Sequence, residues 1–509
     1  MKKSFQLAAV AFAAFPVLAA EPMATARIVV DMAKELRAVK PMNAVNNGPA
    51  VKKPGGDQKV GNFESYKSAR IPFARLHDSI NCCPGGAHAV DVSAVFPDFD
   101  ADETLPESYD FVATDHYLDT IARSGTKIFY RLGQTIEHGP KKYGALPPKD
   151  YAKWARVCEH IVRHYNEGWG WGVDRARTTQ NIVFSNQFNI VYWEIWNEPD
   201  LDPYEDIEKN VNPRCWGGTV TEFFKLYETA AKHLKAKFPE LKIGGPAICG
   251  RIDWGRRFIA WCRDTKSPLD FFSWHGYTVE PKFLAQSAIA WRRALDEAGF
   301  KTTESILNEW NYVKGWSDDW PYSLDVESGR GNQKAAAFIA ATMIDCQNVP
   351  LDLLMFYDAK VSSGMNCLFE KSTLLPMKGY YPFYAWARVA DYGTEVQCDV
   401  HEGRGAKTDA ATGVVYPDLK AKVNNGAFRA IAAKGANGHG CVFIARYSDD
   451  NNVTDTAEVT VSVPGVDLAG AKTHLTDLVR TYTEVPLLSA PGGAGLLFMM
   501  PNSFALIEF

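Results

Sequence analysis

The sequence predicts an α/β fold: a (β/α)8 barrel of the TIM type followed by a C-terminal all-β sandwich. Two observations support this prediction. Strand-like and helix-like segments alternate over roughly 350 residues from Met42, and eight such strands fit a closed barrel better than an open doubly wound sheet. After about residue 394 the chain changes to short alternating strands separated by Gly, Asn, Asp and Pro, a texture typical of a β-sandwich.

Hydrophobic periodicity locates the individual elements. The predicted barrel strands are 42–49, 70–78, 127–132, 190–196, 241–245, 270–277, 305–312 and 351–357. The predicted helices are 110–124, 151–165, 221–238, 254–265, 281–298, 332–347 and 381–390. In the sandwich, strands are predicted at 441–447, 459–463, 478–485, 496–500 and 503–509, and an early strand at 26–30 is expected to join them.

The predicted domain order is a signal peptide (1–20), an N-terminal strand region that joins the sandwich (21–40), the catalytic barrel (41–393) and the sandwich (394–509). Lys2 and Lys3 precede an apolar run and the small-residue exit Val17-Leu18-Ala19, which is the pattern of a secretory signal. The run is too short to anchor the chain across a bilayer. The pattern therefore predicts a secreted or periplasmic protein with no membrane span.

Composition and charge exclude several classes of function. The net charge of −5 becomes −7 without the two signal lysines, which gives no support for nucleic-acid binding. There is no GxGxxG after the first strand and no GxxxxGK[ST], so nothing predicts a nucleotide site. Aromatic residues make up 12% of the chain, with 14 Trp and 21 Tyr, and flat aromatic faces suit sugar binding.

No metal or cofactor is predicted. The ten Cys residues are scattered without a CxxC pair, which argues against a zinc ribbon. Cys249, Cys262 and Cys346 lie in apolar segments and are interpreted as small buried hydrophobes, whereas the oxidation state of the adjacent Cys82 and Cys83 stays open. The acidic run 98–102 begins like a calcium loop but has Glu103 where Gly is required.

Polar side chains gather at the predicted carboxyl ends of the barrel strands, where TIM barrels place their active sites. They are Asn46, Asn47, Arg75, His77, Asp78, Asn197, Glu198, His275, Tyr277, Asn308, Glu309 and Asp358.

Two carboxylates stand out in this set. Glu198 ends the fourth strand in Trp-Asn-Glu-Pro, and Glu309 ends the seventh in Leu-Asn-Glu-Trp, so they face each other across the barrel mouth. Tyr192, Trp193 and Trp196 are expected to wall Glu198, which would disfavour its charged form and make it a proton donor. Two facing carboxylates are the equipment of glycoside hydrolysis.

The segment 191–200 resembles the active-site signature of glycoside hydrolase family 39, a family of retaining TIM-barrel glycosidases that includes β-xylosidases and α-L-iduronidases. The signature reads roughly Trp-x-Phe-Glu-x-Trp-Asn-Glu-Pro-Asp, and the chain departs from it at Val191 and Trp193. Its matching positions are Glu194, Trp196, Asn197, Glu198, Pro199 and Asp200. Other stretches that look like the family are 75–78, 241–246, 273–277 and 308–311.

The resemblance implies a role for each candidate residue. Glu198 would be the general acid/base and Glu309 the nucleophile, about 5–5.5 Å apart as in retaining enzymes. Arg75 is expected near Glu309, with a structural salt bridge as the alternative. The other predicted substrate-binding residues are Asn197 (the sugar 2-hydroxyl), His275 (a sugar hydroxyl), Tyr277 (through Glu309), His77, Asp78 and Trp310, which with Trp316 and Trp320 could stack on sugar.

The resemblance implies a secreted exo-glycosidase that acts on a glycoside substrate, with β-xylosidase activity as the default. The alternatives are another specificity of the same clan (β-glucosidase, α-L-iduronidase, or an arabinose- or galactose-releasing enzyme) and a non-catalytic carbohydrate-binding protein on this fold. The departures at Val191 and Trp193 bear on the identity of the sugar more than on the mechanism.

Overall fold

The computed structural model describes most of the chain. The described residues are 24–52, 60–77, 89–135, 145–171, 188–316, 331–361, 363–403, 415–416, 421–422 and 427–509. The predicted signal at 1–20, the candidate Asp78, the Cys82–Cys83 pair and Trp320 lie outside them.

Eight parallel strands close into a barrel, which confirms the predicted fold class. In chain order they are Ala44–Asn46, Phe73–Arg75, Lys127–Leu132, Tyr192–Ile195, Lys242–Ile248, Phe271–Thr278, Glu304–Tyr312 and Leu353–Phe356. Each strand pairs with the next, and the eighth closes the ring on the first. Glu198 and Glu309 therefore belong to the fourth and seventh barrel strands, as the sequence predicts.

Helices surround the barrel, and three of them begin at a side-chain cap, supplied by Asp150, Thr219 and Asn332. In the described residues the helices are Phe63–Ser68, Val92–Val95, Val112–Arg123, Tyr151–Glu167, Val220–Lys237, Ile252–Thr265, Pro281–Glu297, Gln333–Gln347 and Tyr381–Tyr392. Short 3-10 turns are Pro106–Ser108, Pro199–Leu201, Ile207–Lys209, Lys378–Tyr380 and Pro491–Gly493. Thr219 and Glu222 form a capping box at the start of Val220–Lys237, which satisfies backbone donors that the helix leaves unpaired.

The all-β domain is a single ten-stranded sheet. In spatial order its strands are Thr483–Val485, Lys472–Thr476, Ser503–Glu508, Gly440–Arg446, Phe428–Lys434, Thr394–Glu402, Ala24–Ala38, Ala457–Ser462, Ala494–Met499 and Leu488–Ala490. The N-terminal strand lies in the middle of the sheet and pairs antiparallel with Thr394–Glu402 and parallel with Ala457–Ser462. Val459 and Ile444, from opposite halves, share one apolar core, so the sheet curls over on itself. Two short pairs, Val51–Lys52 with Val60–Gly61 and Val415–Tyr416 with Ala421–Lys422, lie apart from both sheets.

One predicted strand is wrong in its first half. The expected strand at 478–485 begins only at Thr483, because Asp477 turns the chain. The buried Asp477 carboxylate accepts hydrogen bonds from the backbone N–H groups of Val479 and Arg480 and from the Arg480 guanidinium. The strand Phe428–Lys434 was not predicted, since its Ala-rich sequence favours a helix by propensity and pairing in the sheet overrides that preference.

Barrel and sheet share one core. The outer face of the sheet contributes Phe443, Tyr447 and Leu506 to the apolar cluster that also contains the barrel helices. Gln333–Gln347 is buried on all sides because the barrel covers one face and the sheet the other. Arg429 of the sheet donates to Asp345 of this helix at 2.8 Å, with both side chains 3% exposed. The two domains are therefore held together by a continuous buried interface.

Eight cysteines of the described residues are free thiols. Cys262 and Cys346 are buried as predicted, whereas Cys249 is half-buried. Within the described part of the chain, no helix has the length and apolar character that a membrane crossing requires.

Removing one partner of the buried pair should destabilise the whole molecule. Asp345→Ala removes the carboxylate that pairs with the buried Arg429 cation, so the free energy of unfolding should fall by about 3–5 kcal/mol. The matched control is Asp391→Ala, whose partner Arg70 is half exposed, and a loss of about 1 kcal/mol or less is expected there. Denaturant unfolding followed by tryptophan fluorescence measures both, and equal losses would contradict the buried role of the Arg429–Asp345 pair.

Candidate active site

The loop after the fourth barrel strand is held in an unusual backbone geometry. Trp196 and Glu198 have positive φ angles of 78° and 46°, which side-chain-bearing residues rarely adopt. The backbone N–H of Trp196 donates to the carbonyl of Leu132 in the third strand, and that of Glu198 donates to the carbonyl of Ala247 in the fifth. The chain is thus tied to both neighbouring strands at the point where Glu198 is presented.

Asp200 fixes the same loop from below. Its carboxylate accepts hydrogen bonds from the backbone N–H groups of Cys249 at 2.8 Å and Arg251 at 3.1 Å, and from the Cys249 thiol. Burial raises the pKa of Asp200, and the backbone donors counteract that rise. Asp200 therefore links the loop that carries Glu198 to the loop after the fifth strand.

Glu198 and Glu309 meet at the mouth of the barrel. Glu198 is 9% exposed and Glu309 3%, so both carboxylates are largely shielded from solvent. One oxygen from each carboxylate and one His275 nitrogen all lie within 4.8 Å of one another. Oxygens this close favour the retaining arrangement, whose carboxyl groups stand about 5–5.5 Å apart, over the inverting arrangement at roughly 6.5–9.5 Å.

Arg75 lies directly beneath the pair and is fully buried. Its guanidinium donates to Glu309 Oε1 at 2.7 Å, to Glu194 Oε2 at 2.6 Å, and to the side-chain oxygens of Asn197 at 2.7 Å and Asn46 at 3.1 Å. A buried cation with four acceptors is both neutralised and held in one orientation. Arg75 was predicted either to neighbour Glu309 or to form a structural salt bridge. It does both, because the same guanidinium contacts Glu309 and pairs with Glu194.

Glu194 is a site residue whose role sequence reasoning missed. It is fully buried, and its second oxygen, Oε1, accepts from Ser273 Oγ at 2.6 Å and Asn308 Nδ2 at 2.5 Å. Glu194 therefore orients Arg75 through Oε2, while Oε1 is held by side chains from the sixth and seventh strands. The available signal was a lone acid in the middle of an otherwise apolar and aromatic strand.

The Glu309 carboxylate is held by donors on both oxygens. Tyr277 donates to Oε2 at 2.7 Å, opposite the Arg75 contact with Oε1. Burial raises the pKa of Glu309, and Arg75 and Tyr277 act against that rise. Burial also keeps the pKa of Tyr277 well above its ordinary value, so its hydroxyl remains a donor.

His275 stands between the two carboxylates. Its Nδ1 is 2.7 Å from Glu198 Oε1 and 3.4 Å from Glu309 Oε2. Burial lowers the pKa of His275 to about 4, which the Glu309 carboxylate counteracts and Arg75 reinforces. The ring is therefore neutral near pH 7, and the charge stabilisation of Glu309 at that pH comes from Arg75 and not from an imidazolium.

The family assignment follows from comparison with known proteins. The family model described as glycosyl hydrolases family 39 matches residues 86–357, more than half of the chain. The chain belongs to glycosyl hydrolases family 39.

A beta-xylosidase from Caldicellulosiruptor saccharolyticus is 29% identical over 274 residues, which is 49% of this chain and 48% of that protein. A beta-xylosidase from Geobacillus stearothermophilus is 30% identical over 193 residues, 36% of this chain and 34% of that one. The chain thus spans about half the length, or less, of the curated relatives it matches.

Solved structures share the fold at low identity. A glucosidase from Croceicoccus marinus has a TM-score of 0.67 at 20% identity, with 95% of this chain and 98% of that chain covered. A GH39 enzyme from Xanthomonas axonopodis pv. citri has a TM-score of 0.59 at 14% identity, with 97% and 99% covered. These likenesses concern the arrangement of both domains and say nothing of substrate.

Of the remaining predicted site residues in this family-39 barrel, some line the site and others do not. His77 is buried, with Nε2 3.6 Å from Glu309 Oε1, and so lines the same site. Trp310 does not: its ring is fully buried against Phe338 and Phe356, because alternation along the strand turns it outward when Glu309 faces inward. The prediction of Trp310 as a sugar-binding surface is therefore wrong. Trp316 is 65% exposed and lies edge-on to Tyr277, with 5.3 Å between ring centroids.

The aromatic wall predicted around Glu198 is also wrong. Trp193 packs on Tyr130, and Trp196 packs on Trp154 and Trp216, all outside the barrel lumen. Tyr192 lies at the opposite end of the barrel and donates to Glu304. Glu198 instead has the imidazole of His275 as a polar neighbour, 2.7 Å from its Oε1.

The charge of the site argues against a metal ion as its occupant. Glu198, His275 and Glu309 have the donor atoms for a cation. The Arg75 guanidinium, 2.7 Å from Glu309 Oε1, already supplies the positive charge that such an ion would bring. That the family-39 site works without a metal or cofactor stays a prediction.

The depressed pKa of His275 has a direct test. In the unfolded chain the imidazole protonates near pH 6.5, and in the folded protein only near 4, so this residue lowers stability as pH falls through that window. In NMR spectra of the protein with labelled histidine, the signal that disappears in His275→Gln should stay that of a neutral ring down to about pH 5. A midpoint near 6.5 for that signal would contradict the geometry.

Proposed function

We propose that the protein is a retaining exo-glycosidase that releases single sugar residues from non-reducing ends, with β-xylosidase activity as the first expectation. The observation that carries the proposal is the Glu198–Glu309 pair, with oxygens within 4.8 Å of each other at the ends of the fourth and seventh barrel strands. Membership of family 39 and the two beta-xylosidase relatives support it.

In the first step Glu309 acts as the nucleophile. An oxygen of its carboxylate attacks the anomeric carbon, and the bond from that carbon to the leaving oxygen breaks. Glu198, protonated, gives its proton to the leaving oxygen, so the aglycone departs as a neutral alcohol. Arg75 and Tyr277 hold the nucleophile ionised and aligned before the bond forms.

In the second step Glu198 acts as the base. It removes a proton from a water molecule, whose oxygen attacks the anomeric carbon of the glycosyl-enzyme and releases Glu309 as a carboxylate. Glu198 is thereby protonated again and ready for the next cycle. The neutral His275, 2.7 Å from Glu198, adds no positive charge beside the proton that must move twice in each cycle.

Two buried polar atoms support sugar binding at this place. Asn197 Nδ2 and His275 Nε2 have no hydrogen-bond partner among the described residues, although the opposite polar atom of each side chain is engaged. Sugar hydroxyls are the natural complement to such buried groups, since an unsatisfied buried donor or acceptor costs about 1–3 kcal/mol. The exposed Trp316 beside Tyr277 offers an aromatic face near the same opening.

The identity of the sugar is tested with a panel of aryl glycosides. β-Xyloside should be turned over with the highest kcat/KM, and chromatography of oligosaccharide digests should show single sugars from the first time point. Preference for a β-glucoside, an α-L-iduronide, an arabinoside or a galactoside would keep the mechanism and change the substrate. No turnover of any glycoside, with sugar binding intact, would favour a non-catalytic carbohydrate-binding protein.

The roles of the two carboxylates are separable with azide. Glu309→Ala should lower kcat by on the order of 10⁴-fold or more. Azide then attacks from the vacated face, and the glycosyl azide has inverted configuration. Glu198→Ala should cost about 10²–10⁴-fold with poor leaving groups and little with activated aryl glycosides. Here azide replaces water in the second step, and its product has retained configuration.

The control for these variants is Glu304→Gln. Glu304 lies on the same strand as Glu309 but at the opposite end of the barrel, where it pairs with Lys242. It should keep near-normal kcat. Identical azide products from Glu309→Ala and Glu198→Ala would contradict the assigned division of roles.

We also propose export of the protein, on the strength of the charged start, apolar run and Val-Leu-Ala exit in residues 1–20. Mass spectrometry of the protein from the medium or cell envelope should find the chain shortened by about these residues. Full-length protein confined to the cytosol would contradict it.

A further inference from the structure

A segment of the sheet domain reaches the ends of the two barrel strands that carry His275, Tyr277 and Glu309. It comprises residues 447–451 and follows the strand Gly440–Arg446; we call it the clamp. Tyr447 Oη donates to the carbonyl of Val279, two residues beyond Tyr277, at 2.6 Å. Asp449 Oδ1 accepts from Tyr312 Oη, three residues beyond Glu309, also at 2.6 Å.

The clamp is itself firmly held. Lys334, whose side chain is 4% exposed, contacts Asp449 Oδ1 at 2.9 Å and donates to the Asp449 carbonyl and to Asn451 Oδ1, both at 3.0 Å. Phe338 packs between Tyr312 and Tyr447, with 5.5 Å between its ring centroid and each of theirs. A buried cation and a packed aromatic ring therefore give this contact one geometry.

The seventh strand requires such an anchor. Its pairing with the sixth strand is interrupted between Leu307 and Glu309, and its pairing with the eighth between Leu307 and Trp310. Such an irregularity bends a strand and re-aims the side chains after it. Glu309 follows the irregularity directly, so the upstream ladder alone does not set its direction. Two side-chain attachments follow it: Asn311 donates to the carbonyls of Tyr357 and Met365, and Tyr312 donates to Asp449 in the sheet domain.

We propose that the clamp is a positioning element of the catalytic centre, with Tyr447 holding the end of the strand that carries Tyr277 and Asp449 holding the end of the strand that carries Glu309. The inference rests on the proposed function of that pair. In this account the sheet domain is a working part of the active site and not a separable accessory. Tyr447 and Asp449 touch no substrate and act through the backbone of the two strands.

The test uses hydroxyl deletions in the full-length protein. Tyr312→Phe and Tyr447→Phe each remove one cross-domain hydrogen bond and leave the ring in place. Each should lower kcat on an aryl glycoside by roughly three- to tenfold, with the double variant lower still, because small misplacement of a nucleophile is costly. KM should change by about twofold or less, since neither hydroxyl belongs to the sugar-binding groups.

The matched control is Tyr392→Phe. Its hydroxyl also crosses the domain interface, donating to Glu508 at 3.3 Å, but no clamp residue is involved. It should shift the melting temperature about as much as the two test variants while kcat stays unchanged. Unchanged kcat in Tyr312→Phe and Tyr447→Phe, or an equal loss in Tyr392→Phe, would overturn the proposal.

A second readout is independent of turnover. In hydrogen exchange measured by mass spectrometry, peptides covering 271–278 and 304–312 should exchange faster in both test variants than in the wild type and in Tyr392→Phe. If the wild type turns over no glycoside, the proposed function fails and this comparison alone decides on the clamp. Unchanged exchange in these peptides would overturn it.

Discussion

The buried Arg75 guanidinium is the interaction on which the rest of the site depends. It binds side chains from the first, fourth and seventh barrel strands while belonging to the second. Moving such a cation out of water is costly, and the site compensates with two carboxylates and two amide oxygens at hydrogen-bonding distance. Any shift of one of these strands would leave the cation unpaired, so its burial fixes the relative positions of the strands that present Glu198 and Glu309.

The same guanidinium gives the two neighbouring carboxylates different surroundings. Glu309 has Arg75 on one oxygen and Tyr277 on the other, and both contacts oppose the rise in its pKa that burial causes. Glu198 faces a neutral imidazole instead. Below this polar layer the lumen becomes apolar, with Phe129, Phe271 and Ile306 filling the opposite end of the barrel. The chemistry is confined to one end because the other end is packed solid.

Much of the fold could be predicted because the hydrophobic periodicity of each segment identifies its strands and helices. Lys127–Leu132 was placed to the residue, and the strand numbers of Glu198 and Glu309 followed from counting. The motif around Glu198 identified the family, which the comparisons confirm. Side-chain direction was harder, because a strand end that turns through positive φ no longer obeys simple alternation. The expected aromatic wall failed at Trp196 for that reason, whereas Trp193 and Trp310 failed although plain alternation already turned them outward.

Contacts between segments far apart in sequence could not be predicted at all. Nothing local to Glu194 indicates that it would hold Arg75, and nothing near Asp449 indicates that it would meet Tyr312 across a domain boundary. The first contact depends on how the barrel closes and the second on how the sheet packs against it, and both are properties of the whole chain.

The central claim is that Glu198 and Glu309 work by double displacement, and the stereochemistry of hydrolysis tests it most directly. Proton NMR of the reaction in its first minutes, before mutarotation, reports the anomeric configuration of the first sugar released. Two displacements at the same carbon predict that the released sugar has the same anomeric configuration as the substrate. A first product of opposite configuration would mean a single displacement by water and would contradict the account.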